Sequence, residues 1–181
     1  MTPLAARAPR RVRWVQRHAT GDGPLLCGHL SRVKLQRLAR RYRLRLVRIP
    51  SGQSIPGSYW GESEAGLVND RLCVRDDTPV HSLLHELSHY VCMHPLRRRG
   101  LHTDAGGDDL EECAVCWLQL ALAVDMGLDL SAIARDMDRW GYSFRQGSVV
   151  AWLEGDACDA RRWLVRHRVL DGRGRPTGRG R

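Results

Sequence analysis

Residues 76–95 form the segment that most restricts how this chain can fold. Thr78 is a candidate N-cap, and Pro79 suits the first helical position, where its missing N–H costs no hydrogen bond. Apolar residues then recur with the i, i+3, i+4, i+7, i+11 spacing of a buried helix face, namely Val80, Leu83, Leu84, Leu87 and Val91. Pro95 disfavours helical backbone in the residue before it, so the pattern predicts one amphipathic helix that ends before His94.

The sequence His85-Glu86-Leu87-Ser88-His89 lies within this predicted helix and has the HExxH pattern. Residues four apart lie one above the other on a helix, so both imidazoles can reach a single ion. HExxH on a helix is typical of hydrolytic zinc sites, in which the histidines bind the metal and the glutamate activates a water molecule. We therefore expect His85 and His89 to be zinc ligands and Glu86 to be the catalytic base. The alternative is that these polar residues share the spacing by chance.

A catalytic zinc site needs a third protein ligand from elsewhere in the chain. The apolar segment 110–124 predicts a second helix, with Asp108 and Asp109 supplying its N-cap. Glu111 is the preferred candidate because it lies in the first turn of that helix on an apolar face, where an unpaired carboxylate is costly. Glu112 lies on a more polar face of the same helix and ranks second. His102 and Asp104, in a loop-like stretch rich in Gly and Asp, are further alternatives. The two glutamates could instead serve only the helix dipole.

With these two helices the chain resembles the gluzincin zinc peptidases, and more narrowly the small ImmA/IrrE-type members. In that family the HExxH helix is followed by a helix whose glutamate begins an ExxA pattern, which residues 111–114 match. The chain departs from the family at Ser88, where glycine is frequent, and at Val115, where a polar residue is frequent. The resemblance covers residues 31–124, roughly half of the chain. It implies a Zn²⁺-dependent endopeptidase that acts on a protein or peptide, such as a specific regulatory protein, held extended along a sheet edge.

The remaining patterns predict a single α+β domain over residues 26–170. Residues 42–49 alternate with period two, as in a strand, and Asn69-Asp70 joins two further strands as a hairpin. Helical patterns cover 31–41, 131–139 and 148–167, the last broken at Gly155 with Asp156 as a new N-cap. We expect a small antiparallel sheet packed beside the HExxH helix and the glutamate-donating helix, with additional helices after them.

An aromatic turn at 140–145 follows one of these later helices. If Tyr142 or Arg145 faces the zinc site, it would stabilise the oxyanion of a tetrahedral intermediate or bind a substrate carboxylate. The alternative is that the aromatic rings fill a junction between helices while Arg145 lies on the surface.

The net charge of +9 is concentrated toward the two ends of the chain. We expect residues 1–25 to be a flexible basic segment and residues 171–181, rich in Gly and Arg, to be disordered. Flexible arginine segments attract phosphate chains, with an affinity that falls as salt rises, so weak association with nucleic acid is expected. The rival function is therefore a non-catalytic, zinc-stabilised regulatory module that binds nucleic acid or protein. A metal-free interaction domain is a second rival.

No apolar run in the sequence has the length of a membrane-spanning helix, so no membrane partner is expected. The basic N-terminal segment lacks the apolar core of a secretory signal. The six cysteines lack the density of a small disulfide-stapled secreted domain. These features together predict a cytoplasmic protein with reduced thiols.

Overall fold

The computed structural model describes residues 23–59, 61, 63–142 and 146–181. Its elements are α1 (Arg32–Arg41), β1 (Arg45–Arg48), β2 (Gly66–Val68), β3 (Arg71–Val74), α2 (Val80–Cys92), α3 (Asp109–Asp125), α4 (Leu130–Arg139), α5 (Val149–Gly155) and α6 (Cys158–Arg166). A 3₁₀ turn over Cys27–His29 precedes α1. The predicted α+β class is confirmed, whereas the basic N-terminal segment lies almost wholly outside the described residues.

The small sheet has the strand order β1-β3-β2 and is mixed. β2 and β3 form the predicted antiparallel hairpin, in which Leu67 lies opposite Leu72. β1 instead pairs with β3 in parallel, with Leu46 opposite Leu72, so the antiparallel prediction is wrong for this strand. The chain between β1 and β3 is long enough for the crossover that a parallel pair requires. Alternation of apolar and polar residues along a strand shows which face of the strand is buried. It does not show whether the neighbouring strand runs parallel or antiparallel to it.

α2 is the central helix and buries the apolar stripe that the sequence predicts. Its residues Val80, Leu83, Leu84, Leu87 and Val91 are at most 1% exposed. The helix begins one residue later than predicted, because Pro79 is extended and occupies the N-cap position. Thr78 does not cap it: its hydroxyl accepts a hydrogen bond from the backbone N–H of Arg75 and so closes the preceding turn.

α3 packs along α2 and begins where the sequence predicts. The Asp108 carboxylate accepts a hydrogen bond from the backbone N–H of Glu111, as expected for an N-cap. Ala114, Val115, Leu118 and Leu122 are fully buried against the core. The capped first turn of α3 therefore lies against the second half of α2.

The C-terminal residues differ from their prediction in two respects. Asp156 ends α5, since its backbone N–H donates to Trp152, and α6 has Ala157 at its N-cap. Residues 171–181 are ordered against the domain rather than disordered, and the backbone N–H of Arg181 donates to Val91 at 2.9 Å. The Arg41 guanidinium also donates to the carbonyl of Pro176. The composition of this segment shows that it can bury little apolar surface. It does not show the hydrogen bonds that the segment makes with distant elements.

None of the helices in the described part of the chain combines the length and the apolar character needed to cross a membrane.

Candidate metal centre

Polar side chains from α2 and α3 meet where the two helices pack together. α2 contributes His85 and His89, which share a face because they are four residues apart. α3 contributes Glu112, Cys116 and Gln119, which share a face because successive members are four and three residues apart. The cap at Asp108 sets where α3 begins, and its first turn brings Glu112 to the two histidines.

The two imidazoles and the Glu112 carboxylate converge at distances that suit a single ion. The Nε2 atoms of His85 and His89 are 3.0 Å apart. The Glu112 oxygens lie 3.4 Å from each of them, Oε1 from His85 and Oε2 from His89. Zinc binds nitrogen and oxygen at about 2.0–2.1 Å, so two of its ligand atoms in a tetrahedral site lie about 3.3–3.4 Å apart. These three side chains therefore fit the donor set of a zinc site.

Glu111, the preferred third ligand of the sequence prediction, does not face the histidines. Its carboxylate accepts hydrogen bonds from Arg97 at 2.8 Å and from Arg181 at 3.0 Å, and its side chain is 6% exposed. The structure thus brings Glu112, and not Glu111, to His85 and His89. A buried carboxylate needs a positive partner, and for Glu111 two guanidinium groups provide that charge in place of a metal.

The other two candidate ligands from the loop-like stretch point to local partners. The His102 ring contacts the Thr103 hydroxyl at 2.9 Å, and the Asp104 carboxylate accepts from the backbone N–H of Gly106 at 2.7 Å. Asp104 nevertheless lines the same cleft as His85 and His89. Arg145, the predicted carboxylate-binding residue, lies outside the described residues.

The site opens into a cleft of about 540 Å³. His85, Glu86 and His89 of α2 and Glu112 of α3 line one part of it, and residues 103–106 line another. Glu64, Trp140 and Tyr142 line the remaining side, where the Trp140 indole N–H donates to Glu64 at 2.7 Å. The two histidines, Glu86 and Glu112 therefore all line this one cleft.

Burial sets the protonation of the groups in this cleft. It lowers the pKa of His85 to about 4 and the pKa of His89 well below its usual range, so both rings are neutral near pH 7. Neutral imidazole is the form that binds a metal. Burial, followed by repulsion from Glu64 and Glu112, raises the pKa of Glu86 to about 8. A divalent cation bound nearby would oppose that increase.

Gln119 fixes the orientation of His85, a role that was not predicted from the sequence. Its side chain is fully buried, and its amide nitrogen donates to the backbone carbonyl of His81 at 2.9 Å. This leaves the amide oxygen, 3.2 Å from His85 Nδ1, to accept the proton on that nitrogen. The lone pair of Nε2 is then directed toward the converging ligand atoms. The spacing of seven residues between Glu112 and Gln119 was the available sequence signal.

Replacing Gln119 with methionine is expected to weaken zinc binding by about 10–100-fold, because the tautomer and orientation of His85 are no longer held. Competition with a chromophoric chelator measures this affinity. Gln36→Met on α1, away from the site, is the matched control and should bind zinc as the parent does. Unchanged affinity in the Gln119 variant would remove the positioning role.

Tyr142 lies at the cleft with its ring in contact with His85, as one of the sequence alternatives proposed. The two ring centroids are 5.0 Å apart with the rings nearly perpendicular. Burial raises the pKa of the Tyr142 phenol well above its usual range, and nearby carboxylates act in the same direction. The hydroxyl is therefore a neutral hydrogen-bond donor, which suits an oxyanion partner.

No protein-family model, curated protein or solved structure matches this chain. The resemblance to the gluzincin peptidases thus depends on the HExxH and ExxA patterns and remains a prediction.

Proposed function

We propose that this protein is a zinc-dependent endopeptidase. The observation that carries the proposal is the convergence of two neutral imidazoles and one carboxylate beside Glu86, in a cleft open to solvent. His85, His89 and Glu112 would hold the ion. A zinc ion bound there would lower the pKa of a water molecule toward neutrality and polarise the peptide carbonyl.

Glu86 serves as the general base and then as the general acid. It lies between the two histidines on α2 and lines the same cleft. A carboxyl that must take a proton from the attacking water and return it to the departing amine works best with a pKa near the working pH. Its position between the two histidines, at the cleft, supports this assignment. Tyr142 is the proposed donor to the oxyanion that develops on the substrate carbonyl.

The substrate does not simply add to the outer edge of β2. Residues 101–103 already occupy part of that edge, since the backbone N–H of Thr103 donates to Leu67 and that of Asn69 donates to Leu101. The chain then continues directly into the cleft wall at 103–106. We propose that an extended peptide lies along this wall, where backbone hydrogen bonds need no particular side chain.

The rival, a non-catalytic module that binds nucleic acid through basic termini, has less support from the described residues. Residues 171–181 pack on the domain, and the Arg181 side chain is engaged by Glu111.

All six cysteines are free thiols, in agreement with the proposed cytoplasmic location.

The proposal is tested with protein purified without added metal. We expect about one equivalent of zinc per chain by elemental analysis, the content of a single three-ligand site. A diverse mixture of unfolded proteins should acquire new N-termini on incubation, detected by mass spectrometry, and a chelator should prevent this until zinc is restored. Zinc at one equivalent without cleavage of any protein would support the non-catalytic module. Absence of bound metal would contradict both functions.

A further inference from the structure

Cys116 is a side chain of the site that the proposed mechanism does not use. It lies one turn after Glu112 on α3, and the residue is 4% exposed. Its Sγ atom is 4.0 Å from Glu112 Oε1. Ligand atoms of His85, Glu112 and Cys116 all lie within 4.8 Å of one another, and His89 is not part of this group but reaches His85 and Glu112. A thiol is thus buried against two of the three proposed zinc ligands.

We propose that Cys116 is a fourth protein ligand of the ion held by His85, His89 and Glu112. This inference rests on the proposed metal site but not on peptide hydrolysis. Zinc binds sulfur at about 2.3 Å and oxygen at about 2.0–2.2 Å, which places tetrahedral sulfur and oxygen ligands about 3.5 Å apart. The observed separation of 4.0 Å exceeds this by an amount that a small side-chain rotation removes. On binding, the thiol releases its proton to solvent.

A neighbouring cysteine on the same helix shows what distinguishes Cys116. Cys113 also lies in α3, three residues earlier, but it is partly exposed and is not in the group of converging ligand atoms. Cys113 directly follows Glu112 and so points about 100° away from it around the helix axis, whereas Cys116 is four residues after Glu112 and shares its face. Cys113 is therefore a control with the same side chain in the same helix.

Ligation by Cys116 has two consequences for the site. Thiolate is a soft ligand, so the site selects Zn²⁺, Co²⁺ or Cd²⁺ over Mg²⁺ and Mn²⁺. Four protein ligands also close a tetrahedral site, which leaves no position for water. The resting protein therefore holds its ion in a closed state, and hydrolysis requires that the sulfur leave the ion and free that position.

Cobalt substitution tests this inference without any assay of cleavage. One equivalent of Co²⁺ is added to the metal-free parent, to Cys116→Ser and to Cys113→Ser. The parent and Cys113→Ser should show the intense near-ultraviolet charge-transfer absorption of a thiolate bound to cobalt, and Cys116→Ser should lack it. Cys116→Ser should also bind zinc at least about 10-fold more weakly than the parent. Losing a ligand should reduce the affinity at least as much as losing a residue that only hydrogen-bonds to a ligand.

The outcomes separate this inference from the proposed function. If cobalt binds to the parent at one equivalent without thiolate absorption, the three-ligand site stands and ligation by Cys116 is wrong. Absorption that persists in Cys116→Ser also contradicts it. If the parent binds no cobalt or zinc, both proposals fail. A ¹¹³Cd NMR spectrum of the parent, in which a sulfur ligand shifts the resonance strongly, decides the question even if Cys116→Ser does not fold.

Discussion

Replacing Glu86 with glutamine is expected to abolish peptide hydrolysis while leaving zinc binding intact. Glutamine has nearly the same size and shape, so the positions of His85 and His89 on α2 are preserved. It can neither accept the proton of the attacking water nor return one to the departing amine. General acid–base catalysis contributes about 10²–10⁴-fold, so the cleavage rate should fall by at least that factor.

Initial rates of cleavage at one identified peptide bond measure this effect, with the zinc content of each sample determined in parallel. Glu154→Gln, on an exposed position of α5, is the matched control and should cleave at the parental rate. A Glu86→Gln protein that binds one equivalent of zinc and cleaves as fast as the parent would show that this mechanism is wrong.

The same substitution also tests the environment of Glu86 in the metal-free protein. Because the folded-state pKa is raised to about 8, the folded state keeps a proton that the unfolded state loses at lower pH. The free energy of unfolding therefore decreases as the pH rises from about 4.3, the pKa of a glutamate in the unfolded chain, toward 8. Glutamine removes this dependence, so metal-free Glu86→Gln should melt at a higher temperature than the parent above neutral pH. A lower melting temperature there would contradict the assigned burial.

The two adjacent glutamates at the start of α3 should respond differently to the loss of their charge. Glu112→Gln removes an anionic ligand, so its zinc affinity should fall further than the roughly 10–100-fold lost when a residue that only hydrogen-bonds to a ligand is replaced. Its fold should persist because the Glu112 side chain is 49% exposed. Glu111→Gln should retain most zinc binding but destabilise the protein by about 1–3 kcal/mol, because Arg97 and Arg181 lose their buried anionic partner.

Zinc affinity by chelator competition and urea unfolding of the metal-free proteins separate the two effects. Each variant serves as the control for the other, since both change one carboxylate to an amide in the same helical turn. The reverse pattern, with zinc binding lost in Glu111→Gln and kept in Glu112→Gln, would restore the ligand set expected from the sequence.

Much of the fold could be predicted because its signals are local. The stripe from Val80 to Val91 predicted α2, and the Asp108 cap predicted where α3 begins. The turn at Asn69-Asp70 predicted the antiparallel hairpin. Each of these depends on residues close together in the sequence, whose spacing follows from the geometry of one helix or one turn.

The choice of third ligand could not be predicted in the same way. The sequence shows that Glu111 lies on an apolar face and Glu112 on a more polar one. It does not show that Arg97 and Arg181 reach Glu111 from two other parts of the chain. The partners of a buried carboxylate are set by tertiary packing, and any cation that arrives there satisfies the same electrostatic requirement.

The sequence by itself determined that two imidazoles and a glutamate share one helix, because a spacing of four residues places side chains together wherever the helix lies. Only the tertiary structure decided which carboxylate of α3 meets them, that Gln119 orients His85, and that a thiol lies beside the site. It also decided the parallel pairing of β1 and the docking of residues 171–181 on the domain. These features join residues far apart in the chain, so they depend on how the helices pack rather than on any local spacing.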